Sequence, residues 1–189
     1  MSLKFFQEYS ARLQKILDDQ DWAVLEKLTE DLKMVKANRK CVYLCGNGGS
    51  AANSLHIAND FVYGIGNARE AGIRAHALAS NQSLLTCLAN DIGYDEIFSY
   101  QLRMLAESGD ILIVLSGSGN SPNIINVLSE AKKTGIKSYA ILGYSGGDAK
   151  KIADEVIHFR VDDMQISEDC QLIVGHMLMR RLNQDSATR

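Results

Sequence analysis

A three-layer α/β/α domain built on a five-stranded parallel sheet is predicted by three features of the sequence. Five short apolar runs alternate with segments of helical periodicity, a pattern that gives a parallel sheet covered on both faces. The runs are continuously apolar, as strands buried on both sides require. Two of them, at 41–45 and 111–115, lead into small-residue loops, Gly46-Asn47-Gly48-Gly49-Ser50 and Ser116-Gly117-Ser118-Gly119-Asn120-Ser121, each followed by helical patterning.

In chain order, residues 2–37 predict two helices with a break near 18–21, the first striped by Phe5, Tyr9, Leu13 and Ile16, the second by Trp22, Leu25, Leu28, Leu32 and Val35. No crossover between strands needs these helices, so their apolar stripes pack on the flank of the domain or at a subunit interface. A strand at 40–45, a helix at 50–63, a polar loop at 64–72 and a strand at 73–78 follow. Residues 81–88 predict a short helix leading to a turn at 89–93 that carries Asn90 and Asp91, and 94–107 predict another helix ended by Ser108-Gly109. The third strand spans 111–115. A helix over 121–134 is bounded by Ser121 as N-cap, Pro122 in its first turn and Gly135 as C-cap. Strands at 136–142 and 156–161 flank a loop and a short helix, and an amphipathic helix at 164–181 precedes a tail expected to fray.

The 189 residues fit one domain, 46% hydrophobic and 23% charged, with a net charge of −3. That charge gives no electrostatic footprint for nucleic acid. No run is long enough to span a membrane, and the N-terminal residues lack a signal-like apolar region. Cys41, Cys45, Cys87 and Cys170 form no C-x-x-C pair and read as thiols in a reducing compartment.

Both small-residue loops sit where strand ends meet helix starts. Helix N-termini there offer unpaired N–H groups and a partial positive charge to an anion. Ordinary tight turns are the plain alternative, but two such loops, one with hydroxyls at Ser116, Ser118 and Ser121, favour a phosphate ligand. Neither is a Walker A loop, since no Lys-Ser or Lys-Thr follows the glycines. Gly46, Gly48 and Ala51 fit G-x-G-x-x-A, yet the following strand closes on Ala79-Ser80-Asn81 without the ribose-binding acid of a dinucleotide site.

His56 and Asp60 are four apart on one helix and share a face; on spacing alone, a surface histidine beside a solvated aspartate explains them. On the last helix, Asp169 and His176 lie near one face, with Glu168 a little under a quarter turn away. This is either an exposed stripe or, with His56 and Asp60, a convergence of two histidines and two carboxylates on one divalent metal, zinc being the best fit.

Gly46-Asn-Gly-Gly-Ser-Ala51, His56-Ile-Ala-Asn-Asp60, Asn90-Asp-Ile-Gly93, Ser116-Gly-Ser-Gly-Asn-Ser121 and His176 together resemble the phosphoheptose isomerase branch of the SIS (sugar isomerase) domain family, over nearly the whole chain. The resemblance implies a single SIS domain in a cytoplasmic homotetramer, with active sites at subunit interfaces and residues 1–38 contributing to them. It implies isomerisation of sedoheptulose 7-phosphate to D-glycero-D-manno-heptose 7-phosphate, a step towards heptose in cell-envelope glycans. Ser116, Gly117, Ser118 and Ser121 would hold the phosphate; Asn47, Gly48, Gly49, Asp60, Asn90, Asp91 and Glu168 would face the sugar. One zinc per subunit would lie on His56, Asp60, Glu168 and His176, with Asp60 and His176 catalytic. The family usually has Glu at the position of Asp60 and Gln at that of Glu168. Asp is one methylene shorter, so either it works from a shifted backbone or the substrate or role has changed. The competing class is a non-catalytic sugar-phosphate sensor of the DnaA-initiator-associating type, which keeps both loops but has no need of the histidine and carboxylate cluster.

Overall fold

The computed structural model describes residues 2–65 and 72–187. Helices α1 (Ser2–Asp18) and α2 (Ala23–Ala37) precede β1 (Cys41–Cys45), α3 (Gly49–Asn59), β2 (Arg74–Ala77), α4 (Gln82–Asp91) and α5 (Ser99–Leu105). Then come β3 (Ile111–Ser116), α6 (Pro122–Thr134), β4 (Lys137–Leu142), α7 (Ala149–Ile152), β5 (Glu155–His158) and α8 (Met164–Ala187). The five strands form one parallel sheet in the order β2-β1-β3-β4-β5. The order reverses between β1 and β3. At that point the connections leave on opposite faces, so a crevice opens at the carboxyl ends of the two strands. Both small-residue loops border it.

Successive strand residues point to opposite faces, and this divides the interior into two cores. Val42, Leu44, Ile113, Leu115, Tyr139, Ile141 and Ile157 meet α2, α3 and α8 on one face. Cys45, Leu112, Val114, Ala140 and Leu142 meet α4, α5 and α6 on the other. Leu28 and Leu32 fix α2 to the first core at 0% exposure, each burial being worth about 1.5–3 kcal/mol. Helix α1 rides on α8: the Tyr9 hydroxyl donates to Asp169 Oδ2 at 2.5 Å, and Arg12 pairs with Asp163 at 3.2 Å. Hydrogen bonding to Asp169, with burial and its charge adding, pushes the Tyr9 phenol up to about 12. Of the predicted α1 stripe, Tyr9, Leu13 and Ile16 pack against this core. Phe5 does not; it is 64% exposed beside Phe6 and Leu3. Among the described residues no helix is long and apolar enough to cross a membrane. All four cysteines are free; Cys45 and Cys170 are buried, Cys41 is half-buried and Cys87 is exposed.

Several boundaries depart from the sequence reading for local reasons. The helix expected over 50–63 stops at Asn59 and continues as one π-helical turn, Asp60–Gly64. The helix expected over 94–107 splits into a 3₁₀ turn, Tyr94–Glu96, and α5. There the Ser99 hydroxyl donates to the Glu96 carbonyl at 3.1 Å and to its carboxylate at 2.6 Å, local bonds that compete with the helical ladder. Helix α4 runs to Asp91, three residues past the expected end at 88, so that Asn90 and Asp91 close the helix and only Ile92 and Gly93 remain of the expected turn. Helix α8 continues past the expected fray because Leu182, 4% exposed, still packs into the core. Of the predicted 64–72 loop, residues 66–71 lie outside those described.

Candidate active site

Strand β3 ends at the buried Ser116, and its loop is knitted by its own hydroxyls. Ser116 Oγ accepts from Gly119 N–H at 3.0 Å, and Ser118 Oγ accepts from Asn120 N–H at 3.3 Å. Each hydroxyl therefore keeps its proton to donate elsewhere. Ser121 is the N-cap of α6 and Pro122 its first residue, but the Ser121 hydroxyl makes no capping bond. Three hydroxyls and the positive end of a 13-residue helix thus face the crevice side of the sheet. Gly119 has φ 67°, and a Cβ on it would lie 2.1 Å from the carbonyl oxygen of Gly146.

That contact belongs to the segment after β4, which wraps the serine loop. Ala149 N–H donates to Gly119 O at 2.9 Å, and Asp148 N–H donates to Asn120 Oδ1 at 3.0 Å. Tyr144 is held there at φ 42°, with its N–H bonded to Val161 O at 3.0 Å and its carbonyl 3.0 Å from His158 Nε2. Lys150 Nζ lies 3.3 Å from the other ring nitrogen, Nδ1. A lysine donating to Nδ1 leaves the proton on Nε2, which is the one that braces Tyr144. Burial holds the His158 imidazole below its ordinary value, with Lys150 and Arg160 adding repulsion against the Tyr144 and Gly143 carbonyls. The sign follows by linkage. Above pH ~6.5 both folded and unfolded forms are neutral; below it the unfolded chain takes the proton first, so stability falls with pH. The stability advantage of the unaltered protein over His158→Gln is expected to narrow as urea midpoints are taken from pH 7.5 to 5.5. A constant difference would contradict this.

The glycine loop meets the serine loop side by side. Asn47 and Asn123 exchange amide hydrogen bonds at 2.8 and 2.9 Å, and the Tyr94 hydroxyl donates to Asn47 Oδ1 at 3.1 Å. Gly48 is the N-cap of α3 at φ 54°. Gly49 leaves room for Glu168: a Cβ there would lie 2.3 Å from Glu168 Oε2. Asn90 and Asp91 end α4, both exposed, with Asn90 Nδ2 donating to Asp91 Oδ1 at 2.8 Å.

From Gly49 onward α3 and α8 run in the same direction. Asn53 Nδ2 donates to Glu168 O at 2.9 Å and to Gln171 Oε1 at 3.2 Å. Gly175 then lets the helices close, since a Cβ there would lie 2.5 Å from Ile57. One residue further along α8, His176 Nε2 faces His56 Nε2 at 3.0 Å. Asp60, first residue of the π-helical turn, directs Oδ2 to within 3.5 Å of His56 Nε2 and 3.7 Å of His176 Nε2. The side chains of both histidines are nearly half exposed, at 49% and 44%, and Asp60 is 14% exposed.

Three of the four predicted ligands are therefore brought together, their donor atoms within 4.8 Å of one another. Two imidazole nitrogens and a carboxylate oxygen can hold a divalent metal. Ligands about 2.0–2.2 Å from a tetrahedral ion stand about 3.3–3.6 Å apart, close to the 3.0, 3.5 and 3.7 Å found. Glu168 is placed elsewhere: two turns along α8 from His176, over the start of α3. Asp169, near the face of His176 by helical spacing, is turned to α1 by its bond with Tyr9. The sequence reading does not single out Asn123, Tyr94 or Asn53. Their one signal was a polar residue near the start of a helix or at a loop end, and the partners of Asn123 and Asn53 are 76 and 118 positions away.

Residues 4–143 match the profile of the SIS domain. The chain belongs to the SIS domain family. Within that family, it is 35% identical over 173 residues to the phosphoheptose isomerase of Chlorobaculum parvum, covering 90% of this chain and 83% of that one. It is 39% identical over 158 residues to the phosphoheptose isomerase of Sulfurimonas denitrificans, covering 82% and 80%. The SIS fold is shared with the structure of the Neisseria gonorrhoeae phosphoheptose isomerase, at a TM-score of 0.88 and 24% identity over 97% of this chain and 100% of that one.

Proposed function

We propose that the protein is an aldose–ketose isomerase that converts sedoheptulose 7-phosphate to D-glycero-D-manno-heptose 7-phosphate through an enediol, a cytoplasmic step towards heptose for cell-envelope glycans. The observation that carries this is the meeting of His56, Asp60 and His176 on two helices, one of which starts at the glycine loop. A phosphate sensor has no use for that cluster, and the similarity to phosphoheptose isomerases supports the same reaction.

Each residue then has a role. The hydroxyls of Ser116, Ser118 and Ser121, the backbone at Gly117 and the α6 N-terminus hold the phosphate dianion. Asn47, Gly48, Gly49, Asn90, Asp91 and Glu168 line the sugar's path. Asp60 removes a proton from C1 of the ketose and returns it to C2 of the enediol. His176 donates from its ring to the sugar oxygens as charge develops there, so that the oxygen-bound proton passes from O1 to O2. His56, Asp60 and His176 would hold zinc, one ion per subunit. Bound zinc would supply a Lewis acid that polarises the substrate carbonyl. The half-exposed histidines, with exposed Leu55, Val62, Tyr63 and Met177 on the same helices and Leu3, Phe5 and Phe6 on α1, support a site completed by other copies in a homotetramer.

The test is to incubate the zinc-loaded protein with sedoheptulose 7-phosphate in D₂O and follow it by NMR. Deuterium at the carbons next to the carbonyl, with aldose accumulating, is the expected result; binding without exchange would replace this reading with a sensor. The metal assignment has its own readout. His176→Ala is expected to weaken zinc binding at least about 100-fold, measured by competition with a chelating dye. Unchanged affinity would remove His176 from the site.

A further inference from the structure

We infer that Asn123, assisted by Tyr94, is a positioning residue that fixes Asn47 as a hydrogen-bond donor to an oxygen of the sugar; the inference rests on the isomerase reading. Asn47 stands at the tip of the glycine loop, half-buried, between β1 and α3. Its carboxamide has one acceptor oxygen and two N–H donors. The oxygen is filled twice, by Asn123 Nδ2 at 2.9 Å and by the Tyr94 hydroxyl at 3.1 Å. The nitrogen donates once, to Asn123 Oδ1 at 2.8 Å. Among the described residues the second N–H has no partner. What remains of Asn47 for a ligand is therefore a donor, and the group it recognises must accept: a carbonyl oxygen, an enediolate oxygen or the lone pair of a hydroxyl.

Asn123 is fit for this work because it cannot turn away. It is 1% exposed and sits in the first turn of α6, just after Ser121 and Pro122. A free carboxamide on a loop flips between two orientations; a reciprocal pair with a buried partner, biased by a phenol that donates, selects one. The pair also joins the two loops across the sheet's reversal point. The glycine loop is thereby held in register with the serine loop and with whatever phosphate lies there. Misplacement of a reacting group by about an ångström costs about 10²-fold in rate. The effect of losing Asn123 should fall on the chemical step, because the serine loop's own bonds, Ser116 to Gly119 and Ser118 to Asn120, do not involve it.

Three variants and two readouts test this. In Asn123→Ala, kcat with sedoheptulose 7-phosphate is expected to fall about 100-fold, while KM and the Kd of inorganic phosphate stay within about threefold. Asn123→Asp keeps the acceptor for the Asn47 Nδ2–H but replaces the donor to Asn47 Oδ1 with an oxygen, leaving the Tyr94 hydroxyl as that oxygen's donor; kcat is expected to recover only in part, to within about tenfold of the unaltered protein. Tyr94→Phe, which removes one exposed hydroxyl and leaves the fold intact, is expected to lower kcat by about threefold. Side-chain amide ¹H–¹⁵N spectra give a readout that does not need turnover. One Asn47 amide proton should be protected from exchange in the unaltered protein, unprotected in Asn123→Ala and protected again in Asn123→Asp. Equal kcat in Asn123→Ala and the unaltered protein, equal losses in the Ala and Asp variants, or two Asn47 protons that exchange alike throughout would each overturn the inference. An unaltered protein that shows the protection but turns over no sugar phosphate would instead defeat the isomerase reading, and with it the catalytic half of this inference. Should Asn123→Ala fail to fold, Tyr94→Phe with unchanged kcat and unchanged Asn47 exchange overturns the inference by itself.

Discussion

Asp60→Asn is expected to lower the rate of isomerisation by about 10³-fold, within the range that a positioned general base contributes, while the Kd of inorganic phosphate moves by less than about threefold. The substitution keeps the side chain's shape and one oxygen but removes its basicity. The phosphate loop lies at the end of β3 and makes no bond to Asp60, which explains why binding should survive. Asp60 is the only carboxylate of the three-residue cluster, since Asp169 is turned to Tyr9 and Glu168 rests over Gly49. No neighbour among the described residues stands ready to replace it. The measurement is deuterium exchange and aldose formation by NMR beside a phosphate titration. Full turnover in Asp60→Asn would remove it from the role of base. An aspartate reaches one methylene less far than a glutamate; here the acid begins a π-helical turn, a local widening of the helix that recurs at functional sites, and from it Asp60 reaches both histidines.

Gly119→Ala is the second large effect. At φ 67° a side chain is already disfavoured. The new Cβ would also lie 2.1 Å from the Gly146 carbonyl oxygen, which is backbone and has no rotamer to change. Either the serine loop or the segment wrapped on it must move, and the bonds Gly119 N to Ser116 Oγ and Ala149 N to Gly119 O go with it. Phosphate affinity is expected to fall by about 100-fold, the loss of one or two hydrogen bonds to a charged group at 1.5–3 kcal/mol each. Circular dichroism should show the sheet retained. Wild-type phosphate affinity in this variant would show that the loop is not the anion site.

The strands and their loops were legible because their signals are local. A continuous apolar run, a glycine and a serine before a proline each act on their own neighbours. Ser121 and Pro122 mark the start of α6 in sequence and in space. The cluster was half legible. His56 and Asp60 share a face by arithmetic, but nothing in the spacing brings α8 beside α3; that depends on Gly175 admitting Ile57. The same arithmetic placed Glu168 near His176 by angle and did not weigh the rise along the helix, which is about 12 Å over eight residues. The π-helical turn at Asp60 left no trace in the sequence, because its residues suit an α-helix equally well. The Asn47–Asn123 pair was out of reach for a simpler reason: two amides 76 positions apart meet only when the sheet has formed.

That last dependence governs when the protein becomes competent. Neighbours such as β3 and β4 are joined by a single helix and close a short loop, whereas β1 and β3 close over a long intervening segment. Cys41 N–H reaches Asp110 Oδ1 across 69 positions at the foot of that seam. Closing so long a loop costs entropy before any contact repays it. The two loops flank the seam, so a chain caught with only one half assembled would have most of its helices and no working site. Recovery of turnover during refolding is therefore expected to follow the pairing of β1 with β3 and to lag behind the return of helical signal.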